Sequence, residues 1–203
     1  KIFFGGTRHK NGNGGGWFYS GGDDIFKIRF LQWCIRSCWK AKKISKEERN
    51  MRRKDREITD RSIIEKILER AEICRVAMCD ENMPYIVPMN FGYKDGCLFL
   101  HSAAEGRKIE ILKKNQNVCF EVEAECESVR ADLPCEWSMK YQSVIGFGKA
   151  HFLEDTGQKI KGLDVIAEKF IGQPYTNYDE GMLKRLAVIR VDIESITGKS
   201  SIG

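Results

Sequence analysis

No long apolar run interrupts the polar character of these 203 residues. The stretch from Ile25 to Trp39 comes nearest, but Lys27, Arg29 and Arg36 break it. It is therefore neither a membrane span nor the apolar core of a signal peptide. Internal repeats and coiled-coil heptads are also missing, which leaves no basis for a solenoid or a zipper. The Cys34-Ile35-Arg36-Ser37-Cys38 spacing would suit zinc, yet no second ligand pair follows at finger distance, so no metal site is expected. Thr197-Gly198-Lys199-Ser200 looks like the end of a P-loop, but Ile193 stands where the upstream glycine is required. Nor do the eight cysteines suggest a disulfide scaffold, because Cys74, Cys79, Cys97 and Cys119 lie inside apolar strand patterns. Cysteine in such places is a small buried hydrophobe. With no leader pattern, the expected compartment is a reducing cytoplasm.

Charge is unevenly spread. Residues 1–50 carry 11 Lys and Arg against 4 Asp and Glu; from totals of 34 and 29, residues 51–203 are left with 23 against 25. The basic balance thus belongs to the first segment, and neither nucleic acid nor membrane is expected as a partner of the rest. The first segment also holds Trp17, Trp33, Trp39 and the run Asn11-Gly12-Asn13-Gly14-Gly15-Gly16, without a sustained amphipathic period. Lys46-Glu47-Glu48-Arg49-Asn50 directly precedes Met51 and can be encoded almost wholly by purines, as a bacterial ribosome-binding site would be. The expectation is that Met51 is the natural start and that residues 1–50 are translated upstream sequence. The alternative is a disordered basic arm, which would retain DNA in a salt-dependent way.

The stretch from Ile86 to Lys113 carries the chemistry. Ile86 to Tyr93 reads as a strand, Lys94-Asp95-Gly96 as a tight turn and Cys97 to Ser102 as the returning strand. Ala103-Ala104-Glu105-Gly106-Arg107-Lys108 then leads into a helical pattern at Ile109, Ile111 and Leu112. Cations face the positive end of the macrodipole there, an arrangement that makes sense if an anion lies between them. Gly106, Arg107, Lys108 and the hydroxyl of Ser102 are therefore read as a phosphate cradle. The alternative is a pair of solvated surface charges on an ordinary helix.

The remaining pattern is strand-rich. Thr59 or Asp60 can cap a helix with Ile63, Ile64, Ile67, Leu68 and Ala71 on one stripe. Strands are expected over Ile73–Cys79, from Val118 onward, over Tyr141–Leu153 and over Leu186–Ile193, with a polar loop at 125–134. A helix is expected over Asp155–Ile171, with Leu163, Ile166, Ala167 and Phe170 inward. About six strands with tight turns and peripheral helices suggest a mainly β, closed or split antiparallel barrel. A doubly wound parallel sheet is the competitor, disfavoured by the tight turns.

Val87-Pro88-Met89-Asn90-Phe91-Gly92-Tyr93, followed by His101-Ser102-Ala103-Ala104-Glu105-Gly106-Arg107-Lys108, resembles the FMN-binding split-barrel superfamily. Within it, the similarity is to the nitroimidazole resistance (Nim) branch, related to pyridoxamine 5'-phosphate oxidase. The likeness runs from Met51 to Lys199 and includes Cys135-Glu136-Trp137-Ser138-Met139-Lys140-Tyr141-Gln142-Ser143 and Leu186-Ala187-Val188-Ile189-Arg190-Val191. It implies FMN, with its phosphate on Ser102, Ala103, Gly106, Arg107 and Lys108 and its ring beside Val87, Pro88, Met89 and Asn90. It further implies a homodimer with sites at the subunit interface, to which Trp137, Tyr141, Gln142 and Ser143 come from the partner. Cys135 is a candidate for lining the pocket.

By the same resemblance, reduced FMN passes hydride to a small-molecule substrate such as a nitroimidazole. His101 is the candidate for proton handling, the alternative being a histidine that bonds a backbone carbonyl; His151 is read as structural. The chain departs from the oxidases proper in lacking their Arg-Leu-x-Pro-type ending, which argues against vitamin B6 oxidation. A flavin- or haem-binding barrel without turnover, a sensor or carrier, is the rival reading.

Overall fold

The computed structural model describes residues 51–202. Both expectations for residues 1–50, and the Cys34/Cys38 pair, lie outside them. Seven antiparallel strands follow in chain order: β1 (Glu57–Ile58), β2 (Ile73–Asp80), β3 (Met83–Lys94), β4 (Cys97–Ala103), β5 (Asn117–Val129), β6 (Ser138–Phe152) and β7 (Leu186–Ser200). Helices α1 (Arg61–Arg70), α2 (Arg107–Lys114), α3 (Thr156–Ile171) and α4 (Glu180–Arg185) lie between them. The strand order is β1-β7-β4-β3-β2-β5-β6, and β7 also pairs with β6. Six long strands therefore close on themselves, while β1 adds to the far end of β7. This is the mainly β split barrel that the pattern and the resemblance imply. No helix among the described residues is long and apolar enough to cross a membrane.

Period-two alternation builds the core. Cys74, Val76 and Met78 of β2, Phe91 of β3, Leu98 and Leu100 of β4, and Val118, Phe120 and Val122 of β5 all point inward and are buried. Close approach explains two glycines on β6. A Cβ at Gly146 would run into the Phe120 ring, and one at Gly148 into the Asp192 backbone across a bulge in the β6–β7 ladder. The β3–β4 turn needs left-handed backbone at both Asp95 (φ 50) and Gly96 (φ 76), residues that tolerate it.

The helices dock by their caps and stripes. Asp60 accepts the Ser62 N–H at 2.8 Å at the start of α1, and Ile64, Ile67, Leu68 and Ala71 are buried. Ile63, expected on the same stripe, is exposed instead. α3 starts at Asp155, which accepts the Gln158 N–H, and ends at Gly172 in the left-handed region. Its inward face is Gly162, Leu163, Val165 and Ile166. Phe170, expected inward, is exposed.

Two further expectations require correction, and one element was not foreseen. The expected loop over 125–134 is partly strand. After a bulge between Ala124 and Glu127, Glu127 to Val129 pair with Lys140 to Ser138 in a hairpin extension whose two faces are both exposed, so no apolar alternation marks it. The last strand runs on to Ser200 rather than stopping at Ile193, because its second half is paired by β1 and β6. The short helix α4, capped by Asp179, had no apolar period long enough to reveal it.

Candidate functional site

β3 has two unlike halves. It pairs with β2 only from Met83 to Asn90, and with β4 only from Phe91 to Lys94, against Leu100 to Cys97. From Asn90 back to Met83 one edge has no strand partner, and β4 continues alone, with His101, Ser102 and Ala103 paired to β7 on its other side. The barrel parts here. A proline on such an edge sacrifices no ladder bond, which suits Pro84 and Pro88 in an otherwise regular strand. Met89 faces the core and Val87 packs partly against it, while Pro88 and Asn90 face outward and are exposed.

α2 begins where β4 leaves the parting. Gly106 has φ 114 and no atom within 4 Å of where a Cβ would stand, so its backbone is one that other residues avoid, and it is open to an approaching group. The first helical hydrogen bonds run from Ile109 and Glu110 to the Gly106 carbonyl, which leaves the Arg107 and Lys108 amides without helical partners. The Arg107 guanidinium lies 4.7 Å from the centroid of the Tyr85 ring, on the first half of β3. Lys108 is half-buried. Desolvation first, and the Lys108 cation second, hold the His101 imidazole below its ordinary pKa. His101, on the outer face of β4, is thus coupled electrostatically to the helix start. Ser102 lies on the inner face, is 8% exposed and donates its hydroxyl to the Ala103 carbonyl at 2.8 Å.

Two cations and two unpartnered amides therefore meet at the mouth of a parted barrel, an arrangement of the kind that suits an anion. Gly106, Arg107, Lys108, His101 and the Val87–Asn90 edge are brought together. The cradle is shallow: Arg107 is exposed and the Cβ side of Gly106 is open. Among the described residues no second wall covers Gly106.

The other predicted residues lie apart. Register runs from Asn90 to Ile73, and from Glu123 to Ser143, with β2 and β5 between β3 and β6. Three strand spacings separate them, roughly 14 Å. Between them lies an open cleft of about 430 Å³ lined by Arg70, Ile73, Arg75, Glu123 and Glu125. Arg70 reaches Glu125 and, at 2.7 Å, Gln142; Arg75 joins Glu121 and Glu123. Tyr141 has the Lys199 ammonium 5.7 Å from its ring centroid, and its hydroxyl pKa is lowered chiefly by Lys199. Trp137 is exposed, its indole N–H on the Ala131 carbonyl, and Cys135 is exposed on the short turn before it.

Sequence reasoning missed one cluster. His151 Nε2 stands 3.5 Å from Asp192, which also holds Arg190 and accepts a 3.4 Å contact from the Cys97 thiol. The partners lie on β4, β6 and β7, distant in sequence but adjacent by register; the alternation of β6 marks His151 only as outward. The described residues include no group of three or more His, Cys, Asp or Glu that could hold a metal ion.

Comparison with known proteins bears on this geometry. No curated protein matches the chain. A candidate 5-nitroimidazole antibiotic resistance protein from Bacteroides thetaiotaomicron is 37% identical, covering 70% of this chain and 85% of its own, with a TM-score of 0.63. Two more distant structures share the fold. The flavocytochrome Anf3 from Azotobacter vinelandii is 20% identical over 78% of this chain and 75% of its own, at TM-score 0.68. A FAD and haem binding protein from Mycobacterium smegmatis is 21% identical over 73% and 74%, at TM-score 0.66. Residues 60–200 match the family model for pyridoxamine 5'-phosphate oxidase; with the parted barrel and the Bacteroides relative, this means that the chain belongs to the pyridoxamine 5'-phosphate oxidase-like family.

Proposed function

We propose that the protein is an FMN-dependent oxidoreductase of the Nim type, which reduces a small electrophile such as a nitroimidazole. The observation that carries this reading is the parting of β3 from β4 opposite the start of α2, where Gly106, Arg107 and Lys108 form an open anion cradle. The 37% identical relative is itself a candidate nitroimidazole resistance protein. When bound, the flavin supplies the hydride chemistry. The chain's part is to hold and orient. Arg107 and Lys108, with the free amides of the helix start, grip a phosphate. The unpaired edge of β3 from Val87 to Asn90 borders the ring, with backbone donors on either side of Pro88. His101 handles the proton: its lowered pKa makes the imidazolium a readier donor at its ring nitrogen.

A second copy of the chain supplies the missing wall. Ile86, Ala77, Cys119 and Phe147 follow one another in register across β3, β2, β5 and β6 on the outer face. Ile86 is 60% exposed and Phe147 48%, and Pro88 is exposed one register row from Ile86. A contiguous apolar row on a barrel exterior marks an interaction surface. Pairing through this face would let Trp137, Tyr141, Gln142 and Ser143 of one protomer approach the cradle of the other. Phe147→Asp should convert a dimer to a monomer at micromolar concentration in light scattering; an unchanged mass would place the interface elsewhere.

The test of the activity is spectroscopic. The purified protein should be yellow, release FMN on denaturation, bleach with a reductant under nitrogen and regain colour on adding a 5-nitroimidazole. Bound flavin that stays reduced with every acceptor would mean a carrier or sensor, and a haem spectrum would remove the proposed chemistry.

A further inference from the structure

On the side of β3 away from the cradle, Lys169 of α3 is half-buried and lines a cleft of about 260 Å³ with Glu69, Tyr93, Val165 and Glu168. Its Nζ is 2.8 Å from the Leu68 carbonyl, near the end of α1, and 3.3 Å from the centroid of the Phe91 ring. A flexible lysine is thereby held in one position, with its nitrogen at a wall of the cleft. We propose that Lys169 is a covalent binding site for small neutral aldehydes, held as Schiff bases in the cleft beside Tyr93.

The chemistry needs an amine that is free of its proton part of the time and aimed at an accessible space. Burial supplies the first: it draws the Lys169 pKa down to about 8, against opposing pulls from Cys74, Glu69 and Glu72. Glu168 and Tyr93 face it as well, Tyr93 with its hydroxyl committed to Glu65 at 3.0 Å. The unprotonated nitrogen adds to the carbonyl carbon and gives up one of its two protons; the carbonyl oxygen takes that proton and a second from solvent and departs as water as the C=N bond forms, which leaves the protonated imine. No electrons are gained or lost. The protonated imine keeps one N–H for the Leu68 carbonyl and a positive charge over the Phe91 ring, so neither contact is forfeited.

The cleft also selects. Glu69 and Glu168 both line it, and Lys94 stands 3.7 Å from Glu168. An aldehyde bearing a carboxylate or phosphate meets repulsion, whereas a neutral one meets Tyr93 and Val165.

The experiment traps the imine. Purified protein is incubated at pH 7 with benzaldehyde and cyanoborohydride, and each lysine's occupancy is read by peptide mass spectrometry. Lys169 should be labelled at least about tenfold faster than the exposed Lys66, Lys113 and Lys149. The rate should level off above pH 8. Glyoxylate, an anionic aldehyde, should label Lys169 poorly, and Glu168→Gln should improve it. Lys169→Arg, which keeps a cation and donors at the same place, should fold normally and lose the label from that peptide. Labelling of Lys169 no faster than that of the exposed lysines would overturn the proposal, as would equal labelling by glyoxylate and benzaldehyde. Neither readout depends on flavin or on nitroreduction.

Discussion

The two halves of β3 behave as different structures built from one strand. From Phe91 to Lys94 it is laddered to β4 and roofed by α3 so closely that a Cβ at Gly92 would stand 2.6 Å from the Val165 carbonyl oxygen. From Met83 to Asn90 it keeps one bare edge, outward prolines and a basic helix start nearby. Sealing supplies stability and openness supplies a place to bind. A strand that runs from one condition to the other fixes the open edge rigidly, because its continuation is anchored in the core.

Substitutions in the two halves should therefore separate binding from folding. The largest effect is expected at the open end: Arg107→Gln with Lys108→Gln should lose flavin by about 1.5–3 kcal/mol for each charge-assisted bond, measured as dissociation of added FMN, with the urea midpoint nearly unchanged. Flavin affinity that survived both changes would put the phosphate elsewhere. At the sealed end Phe91→Ala should cost about 3–5 kcal/mol of stability, read from urea unfolding, since Phe91 is fully buried between the core and α3. Gly92→Ala should follow at about 1–3 kcal/mol by overpacking, and an unchanged midpoint would show that α3 yields freely.

The smallest effect is a pH slope at the parting. The folded-state pKa of His101 lies below its unfolded value, so the unfolded chain binds more protons in the interval between the two. His101 consequently contributes stability that is whole above the ordinary imidazole range and is lost as pH falls through the folded value. His101→Asn should flatten that slope in midpoints measured across mildly acidic pH. A slope that persisted unchanged would assign it to another group.

The sealed half was the easier to read in advance. Alternating apolar residues, the Asp95-Gly96 turn and the stripe of α1 each encode their structure within a few neighbours. Strand Glu127–Val129 escaped because both of its faces meet solvent, and a strand without a buried face has no period. Phe170 was misplaced because a helical stripe states which residues share a face, and not which of them the tertiary packing covers. Of the candidate site, the basic start of α2 after Gly106 was visible in the chain, whereas the inward turn of Ser102 and the company of His151 depended on strand pairing.

What the chain settles by itself is local: which segments alternate, where the backbone must turn left-handed, and that two cations follow a glycine at a helix start. These follow from sterics and periodicity, which act over a few residues. Closure of the ladder decided the rest. Only the pairing of β7 with both β4 and β6 makes a barrel, only the absence of β3–β4 pairing before Phe91 opens it beside Arg107, and only the packing of α3 on β3 buries the nitrogen of Lys169. Those contacts join residues far apart in the chain, and their free energy comes from surfaces that no single segment possesses.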